Sequence, residues 1–227
     1  MKYTQTTIKW YQVERDLVAT LCELRTLYAR VQFAKTGALP DGIVRNDLDK
    51  DAKLEQGEVS EREFFFDGIL GVYHGLNYAW ATRSFNMNIA ENVGGISFQV
   101  STPTEGTFAV LVPAVVQKRV GALKISDRPI SLTPVRFALQ AAFEKLTLLC
   151  YRISLLPGVQ SPEKIEKPEG FDDSVDSQSF DEEDLELYLA MVYARLNEAW
   201  NCRFDKAPVT SPKEVRKRRE YPCEVLS

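Results

Sequence analysis

Histidine is nearly missing from this chain of 227 residues, where His74 stands alone. A single imidazole excludes most nucleophile and base constellations and the metal sets built on several histidines. Asp67, seven residues earlier, is about 10 Å of helical rise away, so His74 is expected to be a packed residue within reach of Tyr78. Cysteine is scarce too: Cys22, Cys150, Cys202 and Cys223 are far apart and form no C-x-x-C. Four such residues are too few for a disulfide scaffold and fit reduced thiols in a cytoplasm. No run approaches the ~18 apolar residues a spanning helix needs, and the polar opening residues 1–7 read as neither signal peptide nor anchor. A basic surplus is lacking as well. The net charge of −4 argues against a surface built to neutralise phosphates. Nor does the chain carry G-x-S-x-G, a P-loop or a dinucleotide fingerprint.

What the chain does have is a motif written twice. Tyr73, Leu76, Asn77, Ala79, Trp80 and Arg83 spell Y-x-x-L-N-x-A-W-x-x-R, and Tyr193, Leu196, Asn197, Ala199, Trp200 and Arg203 spell it again. Continuing backwards without a gap pairs Val72 with Val192 and Glu63 with Glu183. Such self-similarity indicates an internal duplication. Its Trp, Leu and Tyr resemble those of the tetratricopeptide repeat, but residue order and period differ: these copies lie 120 positions apart against about 34 in that repeat.

Around the motif the periodicity is helical. Trp10, Glu14, Leu17, Leu21, Leu24, Tyr28 and Val31 alternate steps of four and three, which predicts a long helix from Ile8 to Lys35, closed by Gly37 and Pro40. An acidic linker follows to Val59, and Ser60 with Glu63 forms a capping box that opens the first motif helix, running to Phe85. Between Gly95 and Ser126 the pattern alternates, as in a small antiparallel sheet, with Ile96, Phe98 and Val100 on one face. Thr133-Pro134 then starts a second long helix, stopped at Pro157-Gly158. After another acidic linker, Ser179 and Glu182 are expected to cap the second motif helix, which runs to Phe204. The expected fold is α+β and mainly helical. Residues 1–90 and 131–205 are two helical hairpins in a pseudo-twofold four-helix core, 91–130 the inserted sheet, and 206–227 a basic tail, all in one domain.

On a helix, nearly all the matched residues fall within about a third of the circumference. The opposite face diverges. The first copy holds Gly68, Gly71 and Gly75 there, where the second has Tyr188, Met191 and Arg195. Glycine costs a helix about 1 kcal/mol against alanine, so a close neighbour is expected along that face, with the charged back of the second motif helix left to water. The conserved stripe has two readings. As architecture, Tyr and Trp fill volume, Asn fixes register and Arg caps the last turn. As a site, Tyr73, Asn77, Trp80, Arg83, Tyr193, Asn197, Trp200 and Arg203 line a cleft for a planar, anionic or amide-bearing ligand.

Two weaker patterns complete the sequence. Asp47, Asp49, Asp51 and Glu58 occupy positions of a calcium loop, although Ala52 stands where that loop turns on glycine; no other cofactor is expected. Lys213, Arg216, Lys217, Arg218 and Arg219 form the one basic cluster, a solvated helix turn or a strip for nucleic acid or another acidic partner. Taken together, the residues point to a cytoplasmic, non-enzymatic protein-interaction or adaptor protein, with protein partners or self-association. The alternatives are a small-molecule sensor or enzyme using the motif cleft, and nucleic-acid association through the tail.

Overall fold

The computed structural model describes residues 8–83, 125–161, 164–168, 171, 180–208 and 211–219. It is mainly helical. Helix α1 covers Trp10–Thr36 and ends at Gly37, whose φ of 73° lies in the left-handed region that glycine enters without strain. Its N–H donates to the Phe33 carbonyl at 2.8 Å. The predicted seam is buried from Leu17 to Val31, and Glu14 lies in it without solvent exposure. Burial pushes the Glu14 pKa up, with the Ser161 hydroxyl acting in the opposite direction.

The first motif helix is not continuous. It comprises α2, Glu61–Phe64, then one wide π turn, Phe65–Ile69, then α3, Leu70–Thr82. Ser60 and Glu63 form the expected capping box. Helix α4 spans Leu132–Ser154, and its N-cap is Ser131, which puts Pro134 at the third helical position instead of the first. Helix α5 spans Glu182–Asn201 and is capped by Asp181, whose carboxylate accepts from the N–H groups of Glu183 and Asp184. That carboxylate, two residues beyond the Ser179 expected from sequence, takes the capping role. Helix α6, Pro212–Arg219, packs against α5.

Helix α1 lies between α3 and α4, and α5 lies on α4. Aromatic and ionic contacts between the two motif helices close the bundle on its fourth side. The strands expected between Gly95 and Ser126 fall almost wholly outside the described residues. Among the described residues one isolated antiparallel bridge pairs Ser60 with Pro129, flanked by hydrogen bonds from Ile130 N to Val59 O and from Glu61 N to Arg128 O, each 2.9 Å.

The neighbour demanded by the three glycines is α1. A Cβ on Gly68 would stand 2.5 Å from Leu27 Cδ1, and one on Gly71 would stand 2.9 Å from Glu23 Oε2. At Gly75 it would collide with the Thr20 side chain, which cannot easily give way because Thr20 Oγ1 donates to the Asp16 carbonyl at 2.7 Å. Gly75→Ala is therefore expected to destabilise the protein by about 1–3 kcal/mol, the cost of overpacking, where a free helix would gain about 1 kcal/mol. Urea denaturation checks this, and the further change Thr20→Ala is expected to restore part of the loss.

Candidate functional site

The repeated stripe faces itself. The Tyr73 and Tyr193 rings stack with centroids 5.7 Å apart, and the Tyr73 hydroxyl donates to Asn197 Oδ1 at 2.6 Å. Tyr73, Asn77, Trp80, Tyr193, Asn197, Trp200 and Arg203 are all buried. The stripe therefore forms a filled seam. Its halves are not equivalent in detail: Asn77 has no hydrogen-bond partner among the described residues for either side-chain atom, whereas Asn197 is engaged.

The two motif arginines make matching contacts. Each lies over the tryptophan three residues before it, Arg83 at 3.6 Å from the Trp80 ring centroid and Arg203 at 3.9 Å from that of Trp200. Each donates through Nη1 to that tryptophan's carbonyl, at 2.7 Å and 2.8 Å. Each then reaches across to the first residue of the other motif helix: Arg83 Nε donates to Glu182 at 2.7 Å and Arg203 Nε to Glu61 at 2.8 Å. The ends of these helices also hold the starts of the long ones, with Lys9 N donating to Arg83 O and Ser131 N to Arg203 O.

These pairs correct the gap-free alignment. Glu61 follows the cap Ser60 and Glu182 follows the cap Asp181, so these two acids play one role, whereas Glu63 and Glu183 do not. The distance to the motif arginine is 22 positions in the first copy and 21 in the second. The π turn absorbs the extra residue, since its hydrogen bonds span five residues instead of four. First-turn acids after a cap were the available signal, and they also face the favourable end of the helix dipole.

The two cross-links differ in environment. In the Arg203–Glu61 pair the side chains are 7% and 5% exposed, against 22% and 46% for Arg83–Glu182. Burial alone would raise the Glu61 pKa. The Ser126 hydroxyl and N–H, followed by Arg203, outweigh it and hold the carboxyl below its ordinary value.

No family model, curated protein or solved structure matches the chain. Its own geometry carries the argument.

Concave space lies elsewhere, on the glycine side of the first motif helix. A cleft of about 840 Å³ opens between α1, the first acidic linker and the π turn. Glu23, Arg30, Asp49, Lys53, Phe66 and Asp67 are among its lining residues, as are Gly68 and Gly71. Sequence reasoning missed Glu23, Arg30 and Phe66 because they come from two segments far apart in the chain, α1 and the π turn. Arg30 is paired with Glu63 at 3.1 Å, and Glu23 makes no hydrogen bond or ion pair among the described residues. Burial, then the nearby charge of Asp49, raises the Glu23 pKa.

The calcium-loop residues do not gather there as a metal set. Asp47 Oδ2 accepts from Val44 N and Asp49 Oδ1 from Asp51 N, so both wind the linker on itself, and Glu58 is exposed and does not line the cleft. Among the described residues no three His, Cys, Asp or Glu converge closely enough to hold a metal ion. Cys150 is a buried thiol whose pKa burial pushes far up, which disfavours the reactive thiolate. Burial lowers the His74 pKa, and its Nε2 has no partner among the described residues. No helix is long and apolar enough to cross a membrane among the described residues.

Removing one partner of the buried pair strands a charge. Arg203→Met is expected to cost about 3–5 kcal/mol, whereas Arg83→Met, at the half-exposed pair, should cost about 1 kcal/mol or less; denaturant midpoints of the two variants check the ordering. A carboxyl with a lowered folded-state pKa contributes stability that is present above the ordinary carboxylate pKa and lost as pH falls through the folded value. Stability measured from pH 7 downward should therefore fall more steeply in the wild type than in Glu61→Gln.

Proposed function

We propose that this is a cytoplasmic, non-enzymatic protein-interaction protein built on a duplicated helical hairpin. In this reading α1 with α2 and α3 forms one hairpin and α4 with α5 the other, related by a pseudo-twofold axis through the Tyr73–Tyr193 stack. The observation that carries it is the filled seam: the side chains repeated in both copies are used on one another, through two ring-stacked arginines and two crossed Arg–Glu pairs. A stripe spent in this way supports a frame, and leaves recognition to surfaces where the copies differ.

One such surface is the outer side of α5. Leu187 and Met191 are 53% and 39% exposed, one helical turn apart, and thus form an apolar strip suited to the apolar face of a partner helix. Close by in the chain, α6 exposes Lys213 and Arg216, which would add charge attraction to an acidic partner. Nucleic-acid association through this basic helix would show a steep salt dependence that vanishes when residues 212–219 are deleted.

Two measurements separate frame from site. Asn197→Ala leaves the Tyr73 hydroxyl without its acceptor and is expected to cost about 1–3 kcal/mol, while Asn77→Ala should be close to neutral because its amide has no partner to lose among the described residues. A photo-activatable side chain at position 191 is expected to yield one discrete protein adduct in cells, weakened by Leu187→Asp. The same probe at Tyr11, also exposed, should yield none. Equal adducts from both positions would count against the proposal.

A further inference from the structure

The outer ridge of α5 is its own complement when reversed. Glu183, Leu187, Met191 and Arg195 follow one another at steps of four, so they form one oblique row on the helix surface. The middle of the row is apolar and exposed, and its two ends carry opposite charges. Glu183, four residues before Leu187, is exposed, and its carboxylate has no partner among the described residues. Arg195, four residues after Met191, donates through Nη1 to Glu198 at 2.8 Å and keeps further N–H donors in its guanidinium fork.

When two copies of α5 cross antiparallel, acid, apolar, apolar, base meets base, apolar, apolar, acid. Leu187 then faces the partner's Met191, and Glu183 faces the partner's Arg195. Rows spaced by four align in this way when the helix axes cross at about 50°. The adjoining row holds Ala190 and Ala194, whose small side chains leave a shallow groove beside the ridge. Charge agrees with shape, because the first turn of α5 also holds Glu182 and Asp184, and an antiparallel partner brings that acidic turn toward Arg195.

The first motif helix has no such row. Gly71 and Gly75 take the places of Met191 and Arg195 there, and Glu23 and Thr20 of α1 cover them. Each chain therefore offers this ridge once among the described residues, and a twofold pair uses both ridges and closes.

We propose that the partner of the α5 face is a second copy of this chain, held by an antiparallel α5–α5 contact with Leu187 and Met191 at its centre and a Glu183–Arg195 pair at each end. The inference rests on the reading of that face as a docking surface and names its occupant.

Sedimentation of the full chain over a range of concentrations is expected to show a mass that rises from one chain to two. Glu183→Arg and Arg195→Glu each place like charges at both ends of the contact, and each should weaken self-association by at least about tenfold. An equimolar mixture of the two variants restores opposite charges at both ends and is expected to associate about as tightly as the wild type. Circular dichroism melts establish that both variants fold. A wild-type protein that remains a single chain at about 0.1 mM, or a mixture that associates no better than either variant alone, would overturn the proposal. In either case adducts of position 191 with a different protein would leave the docking face standing, whereas no adduct at all would remove the face together with its occupant.

Discussion

The Arg203–Glu61 pair is the node on which the remaining packing depends. A guanidinium and a carboxylate this deeply buried are stable only when their other hydrogen-bonding groups are also satisfied. Here they are satisfied by two other parts of the chain, and a third holds the arginine's backbone. Trp200 supplies a carbonyl and a ring face to Arg203, Ser126 supplies a hydroxyl and an N–H to Glu61, and the Arg203 carbonyl receives Ser131 N at the head of α4. One ion pair thus joins the end of α5, the start of α2, the segment entering α4 and α4 itself. Arg83 and Glu182 repeat the contact at the other end of the seam, nearer to water.

The π turn gives this node its geometry. A straight α-helix places residues at fixed angles, so Glu61 could not meet Arg203 while Tyr73 stacks on Tyr193 unless one residue were absorbed between them. That wide turn also carries Phe66, Asp67 and Gly68 to the opposite side, where they form part of the cleft. A single local distortion therefore serves the seam on one face and makes room on the other. The close approach of α1 offsets the poor helix propensity of the three glycines, because backbone packed against Leu27, Glu23 and Thr20 gains contacts that a side chain would forbid.

Much of the frame was legible in the sequence, for identifiable reasons. The four-three spacing of α1, the left-handed stop at Gly37 and the box of Ser60 with Glu63 are local signals, and local signals survive folding. The glycine face announced a close neighbour without saying which one. Contacts set by distant segments were hidden: the acids that meet Arg83 and Arg203 are separated from them by 99 and 142 positions. The π turn was hidden too, since nothing in Phe65-Phe66-Asp67-Gly68-Ile69 marks a wide turn until the partners on each side must be aligned. The cleft was invisible for the same reason, its walls coming from α1, the linker and the motif helix. The acidic linker looked like a cation loop, but two of its aspartates, Asp47 and Asp49, accept from the linker's own backbone.

The central claim is that the repeated motif is a self-closing seam, and a double-mutant cycle on its buried cross-link tests it most directly. Arg203→Met, Glu61→Gln and the double variant are unfolded in urea, and the coupling free energy is taken from the four stabilities. Residues that depend on one another in a buried pair should show a coupling of about 1.5–3 kcal/mol, so that the double variant loses much less than the sum of the single losses. A coupling below about 0.5 kcal/mol, the level of independent sites, would contradict the account.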